Sequence, residues 1–201
     1  MRGRGWLYTI GIIFNRIIPE AWMRFRPFVV LQLTAAQEFD TPSSDAFRVT
    51  RCVTDEQIKA VADITFVGDP SQFPNATGYL ISDNDQILGG VWIATGEFTE
   101  SELGVRLELR DYQVWLFAAS IKKEARGQGV YRRLLGQVLS EQEDKRVYCS
   151  INRFNKASLA AHRRFTEANQ GSALVARVGS RVWASGKGKL TYADRVFRIA
   201  D

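Results

Sequence analysis

Residues 114–121 (Val114-Trp-Leu-Phe-Ala-Ala-Ser-Ile121) form an almost unbroken apolar run, followed by the basic loop Lys122-Lys123-Glu124-Ala125 and then Arg126-Gly127-Gln128-Gly129. Behind the second glycine, Val130, Leu134, Leu135, Val138 and Leu139 recur at helical spacing, which predicts a helix over 129–143. A strand that is apolar on both sides belongs in the middle of a sheet. A strand turning directly into an amphipathic helix calls for a sheet with helices packed on it. The first turn of such a helix leaves backbone N–H groups unpaired, and glycine lets an anion approach them closely. The spacing is neither the G-x-x-x-x-G-K of a Walker loop nor the G-x-G-x-x-G of a dinucleotide fold. Two readings of the turn stay open from these residues: a phosphate site flanked by Arg126, Arg132 and Arg133, or a tight connection needing glycine for its backbone alone.

The flanking sequence predicts a mixed α/β domain. Thr54 and Gln57 form a capping box ahead of Ile58, Val61, Ala62 and Ile64. Tyr79–Ser82 and Gln86–Thr95, joined by Asp83-Asn84-Asp85, read as a hairpin. Strands are also expected at Phe28–Leu33, Phe47–Cys52, Val105–Leu109, Arg146–Asn152, Ala173–Val178 and Arg195–Ile199, with a helix at Lys156–Ala168. The tail after Gly179 reads as a final hairpin, and its Gly186-Lys-Gly-Lys189 as a turn. Turn and linker chemistry at 35–46 marks a boundary between an N-terminal arm with its linker (1–45) and the main domain (46–201).

Charge sits mainly in that arm. Arg2, Arg4, Arg16, Arg24 and Arg26 face a single acid, Glu20, whereas the whole chain carries +5. Trp6, Ile10, Ile13 and Ile17 would form one stripe of a basic amphipathic helix. Such a helix either lies in a membrane interface or packs on the domain or in a homodimer interface. The apolar stretch is too short and broken to span a bilayer. Neither zinc-finger spacing nor an RNA-binding aromatic pattern occurs, which argues against nucleic acid. Cys52 and Cys149 lack metal-like spacing and read as free buried thiols of a reducing, cytoplasmic setting.

The turn resembles the signature of the GNAT (N-acetyltransferase) superfamily, R/Q-x-x-G-x-G/A. Arg126, Gly127, Gln128, Gly129 and Val130 stand in its register, with Tyr131 where glycine or alanine is usual. A second stretch, Asn155-Lys-Ala157-Ser158-Leu-Ala-Ala-His162, resembles the family's N-x-A/S-A/S-x-x-x-Y/H helix, with Thr166-Glu167 in place of its closing glycine and phenylalanine. The resemblance implies a GNAT-like fold, a twisted mixed sheet of about six or seven strands flanked by about four helices. It implies acetyl-CoA as co-substrate, with no metal. Ala119, Ser120 and Ile121 would face the pantetheine, Arg126 to Tyr131 the pyrophosphate through their amides, and Asn155 and Ser158 the pantetheine region.

On that resemblance the chain is expected to be an N-acetyltransferase in which a primary amine, on a small molecule or a protein, attacks the acetyl thioester directly. His162, the only histidine, would return a proton to the leaving sulfur. Glu97, Glu100, Glu102 and Glu108 precede the central strand, and none stands out as a base. Trp92, Trp115, Phe117 and Trp183 read as core or acceptor-pocket wall. Two rivals share the fold: a non-catalytic acyl-CoA sensor, and a membrane-peripheral enzyme acting on lipid- or glycan-linked amines.

Overall fold

Twelve strands and three α-helices are formed among the residues that the computed structural model describes: 23–35, 47–100 and 105–200. The strands are β1 (Met23–Leu33), β2 (Phe47–Arg51), β3 (Ala76–Asp83), β4 (Gln86–Ala94), β5 (Glu97–Glu100), β6 (Val105–Glu108), β7 (Gln113–Ile121), β8 (Arg146–Asn152), β9 (Thr166–Val178), β10 (Arg181–Gly188), β11 (Leu190–Ala193) and β12 (Val196–Ile199). The helices are α1 (Asp55–Thr65), α2 (Val130–Ser140) and α3 (Lys156–His162).

Eight strands make the main sheet, in the order β10-β9-β1-β8-β7-β4-β3-β2, and β11-β12-β6-β5 make a smaller one. The class is the mixed α/β expected, with more strands. No strand was expected at β5, whereas β1, β9 and β12 fall on segments expected as strands and β10 and β11 on the tail expected as a hairpin. The helix expected at residues 6–18 lies outside the described residues.

Strand β1 is the main departure. The sequence reading set it ahead of a domain boundary near residue 46, yet it lies inside the sheet, antiparallel to β8 on one side and β9 on the other. Its alternation explains this. Val29, Leu31 and Leu33 face one core and Val30 the opposite one, so both faces need cover. The arm residues before Met23 and the linker 36–46 lie outside the described residues.

Helix α2 buries Val130, Leu134, Leu135, Val138 and Leu139 against one face of the sheet, each worth about 1.5–3 kcal/mol by area. Helix α1 covers the opposite face. Its capping box forms in both directions, Gln57 N–H to Thr54 Oγ1 and Thr54 N–H to Gln57 Oε1, each 3.3 Å. It can approach because β3 and β4 carry glycine there. A Cβ on Gly78 would lie 2.5 Å from Val61 Cγ1. The smaller sheet packs beside α1, bringing Phe98, Leu107 and Phe197 onto Val30, Trp115 and Tyr148. Helix α3 is shorter than expected, ending at His162. Phe165 is fully buried, and from Thr166 the chain pairs with β1.

Candidate functional site

The site begins with a fault in β7. It pairs in parallel with β8 only from Gln113↔Arg146 to Leu116↔Cys149. On its other edge pairing with β4 continues, Phe117 opposite Trp92, then Ser120 opposite Gly90 and Ile121 opposite Gly89. Ala118 and Ala119 therefore share Val91 as their one opposite residue, and Ala118 takes φ 48°. Such a bulge bends its strand. Here β7 stays on β4 and leaves β8, opening a groove of about 760 Å³ with Ala119, Ser120 and Ile121 along one wall.

At one end of the groove is the glycine turn. Gly127 and Gly129 take φ 80° and 81°, a conformation that L side chains resist. A Cβ on Gly127 would touch nothing, so the glycine is there for its φ and the space above it is open. Gly129 is the N-cap of α2 and provides no capping side chain. The N–H groups of Val130, Tyr131 and Arg132 thus have no acceptor within the helix. Gly127, Gly129, Val130 and Arg132 line the groove here, and Arg132 Nε is buried without a hydrogen-bond partner. A buried unpaired donor is costly and suits an anion. Arg126 also lines the groove, its Nε donating to Ile121 O at 3.1 Å. Gln128 serves the loop instead, donating from Nε2 to Glu124 O at 2.8 Å.

The far wall is α3, whose N-cap Asn155 accepts the Ser158 N–H at 3.0 Å through Oδ1. Asn155, Ser158 and His162 all line the groove. The His162 ring is buried, with Nδ1 2.8 Å from Ser158 O and Nε2 2.7 Å from the Tyr131 hydroxyl. A carbonyl only accepts, so Nδ1 carries the hydrogen and Nε2 receives the Tyr131 O–H. Burial lowers His162 below its ordinary 6.5, partly offset by the Ser158 bond. Burial, with a lesser contribution from the Cys149 thiol, pushes the Tyr131 hydroxyl well up. Both groups are therefore neutral near pH 7. Sequence reasoning had counted on the Tyr131 amide alone; its hydroxyl meets a residue 31 positions away, which no local motif signals.

Other candidates stand elsewhere. Glu97 pairs with Arg106 at 3.0 Å and Glu108 with Arg198 at 2.7 Å, both on the smaller sheet and away from the groove. The Glu100 side chain and Glu102 fall outside the description. Trp92 is core, donating from Nε1 to Thr65 Oγ1 at 2.9 Å, and Phe117 packs beside it. Trp115 walls a second cavity, between the sheets. Trp183 is not core: it is 52% exposed on β10. Cys52 and Cys149 are unbonded, their thiols pushed by burial to about 11 and about 12. Among the described residues no His, Cys, Asp and Glu group could hold a metal, and no helix is long and apolar enough to cross a membrane.

No protein-family model and no curated protein matches the sequence. Solved structures do match in shape. A conserved protein of unknown function from Staphylococcus epidermidis superposes with a TM-score of 0.58 at 12% identity, over 88% of this chain and 67% of its own. A proposed acetyltransferase of the GNAT family from Novosphingobium aromaticivorans gives 0.53 at 10%, over 82% and 66%. A GCN5-related N-acetyltransferase-like protein from Streptococcus suis gives 0.51 at 10%, over 88% and 68%. The chain thus spans about two thirds of the length of each. At such identities the likeness is one of architecture, and with the bulged β7 and the glycine turn it is enough for one statement: this chain has the GNAT acetyltransferase fold.

Proposed function

We propose that the chain is an N-acetyltransferase that moves an acetyl group from acetyl-CoA to a primary amine by direct attack. The groove carries this reading. It joins an uncapped helix start with an unpaired arginine Nε to a hydrogen-bonded Tyr–His pair, along a strand edge that β8 has left. The residues suit the co-substrate. The N–H groups of Val130 to Arg132, with the Arg132 side chain, would take the pyrophosphate, and the Ala119–Ile121 wall an extended amide-bearing arm.

Acyl transfer forms a C–N bond, breaks the C–S bond and moves one proton from nitrogen to sulfur. The neutral Tyr131–His162 pair can carry that proton. The Tyr131 oxygen takes it from nitrogen while passing its own hydrogen to Nε2, and the reverse movement delivers it to sulfur. The imidazolium formed in between is disfavoured by burial, which favours the return. His162, first expected to act on sulfur itself, works here through Tyr131.

Calorimetric titration of acetyl-CoA and CoA into wild type, Gly129→Glu and Gly129→Asn tests the reading. A carboxylate a few ångströms from the pyrophosphate should weaken binding by about 100-fold or more. Asparagine, which tolerates positive φ, should keep it. A folded wild type that binds neither ligand overturns the proposal. Thioester turnover against an amine panel then separates an enzyme from an acyl-CoA sensor.

A further inference from the structure

Where β9 and β10 run beside each other they are apolar on both faces, and the described residues cover only one of them. Ala173, Val175, Val182 and Ala184 pack into the core shared with the smaller sheet. The alternate residues Leu174, Ala176, Val178 and Trp183 point the other way, and none of them belongs to the core that α2 covers. Register puts them on one surface. Ser185 stands opposite Leu174, Trp183 opposite Ala176, and Arg181 opposite Val178. Among the described residues four large hydrophobics are exposed, and two of these, Trp183 at 52% and Val178 at 45%, meet here on neighbouring strands. Strands that are apolar on both sides are those that a fold buries on both sides.

We infer that this shelf is the docking surface for the chain's own residues 6–17, whose apolar stripe of Trp6, Ile10, Ile13 and Ile17 lies across it as a helix. Connection favours this occupant. Met23, the first residue of β1, pairs through its backbone with Val178, so the arm joins the sheet at the edge of the shelf. Lengths agree as well. A helix from Trp6 to Ile17 would be about 18 Å long, and the shelf from Leu174 to Val178 runs about 13 Å along the strand. Residues 18–22, with Pro19 to end the helix, reach about 17 Å at full extension, enough to fold Ile17 back over the shelf. A tethered segment meets its own site at an effective concentration in the millimolar range, so modest contact suffices. A second copy or a membrane would have to use the same side chains without that tether.

Hydrogen exchange on the full chain tests this against the double variant Trp183→Ser/Val178→Ser. Both side chains are exposed, so the fold should survive, and a urea midpoint checks that it does. Amides of residues 8–17 should exchange at least about tenfold more slowly in wild type than in the double variant. A nitroxide label gives the location. Attached to Ser185→Cys, on the shelf face beside Trp183, it should broaden the arm's amide signals. Attached to Phe66→Cys, at the end of α1 on the opposite face of the sheet, it should leave them sharp. The native thiols of Cys52 and Cys149 are buried and do not compete for the label. Fast exchange in wild type, equal exchange in the two proteins, or equal broadening from the two labels overturns the assignment. The other occupants have their own signatures. A wild-type dimer in sedimentation velocity that the double variant lacks would put a second copy on the shelf. Arm protection that appears only with anionic vesicles would put the arm on a membrane. Either result also overturns the assignment.

Discussion

Tyr131→Phe removes one oxygen and keeps the ring in place beside the core that α2 covers. The lost bond is the 2.7 Å contact to His162 Nε2, a buried acceptor with no other partner among the hydrogen bonds of the ring. Leaving such a group unsatisfied costs about 1–3 kcal/mol of stability. If Tyr131 carries the proton between nitrogen and sulfur, the chemical step loses about 10²- to 10⁴-fold. These effects are separable. Thermal unfolding reads the first, and thiol release at saturating acetyl-CoA and amine reads the second. The CoA affinity, assigned on the proposed reading to backbone N–H groups that the substitution leaves alone, should stay that of wild type. The double variant Tyr131→Phe/His162→Ala should be no slower than the worse single one, since both residues serve one relay. A folded Tyr131→Phe protein turning over within about threefold of wild type would refute the relay.

Further outcomes follow from other features. Because the folded state lowers the His162 pKa below 6.5, the unfolded chain takes up the proton first as pH falls, so stability drops from about pH 6.5 downward until the folded histidine also titrates. Urea midpoints at pH 7.5 and 5.5 should show this slope in wild type, and a reduced one in His162→Gln. Phe66, which caps α1 at φ 59° with its side chain 88% exposed, holds a conformation that glycine adopts freely. Phe66→Gly should therefore stabilise by about 0.5–1 kcal/mol, and a lower urea midpoint would contradict that account. If the basic arm binds membranes, the full chain should sediment with anionic vesicles while a version lacking residues 1–22 stays in solution; equal recovery of both in the supernatant would end the idea. The cut must stop there, because Met23 already pairs with β9.

What could be read in advance was local. The run from Val114 to Leu139 announces strand, turn and helix because apolar spacing and two glycines act within a few residues of one another. The Thr54–Gln57 box and the Asp83-Asn84-Asp85 turn, whose last two residues take positive φ, were legible for the same reason. Readings failed where a distant partner decides. Arg163 to Ala168 continue a passable helical pattern, but pairing of Thr166 with Leu33 draws the chain into β9. Glu97–Glu100 looks like a charged loop until Phe98 is seen buried against Trp115 and paired with Leu107. The candidate site divides likewise. Its glycine turn follows from sequence, whereas the Tyr131–His162 contact and the cavity between the sheets arise only from how separate elements meet.

Strand β1 is made first and seated last. Its neighbours on both sides, β8 and β9, span residues 146–178, so on a growing chain its backbone groups wait for more than half the protein to be synthesised. The hairpin β3–β4 can form from adjacent sequence meanwhile. Until its partners arrive, Phe28–Leu33 is an apolar strand with two open edges, the kind of segment that pairs with the wrong chain. Closing the sheet is thus a late, long-range event, and the step at which a chaperone would matter most to this protein.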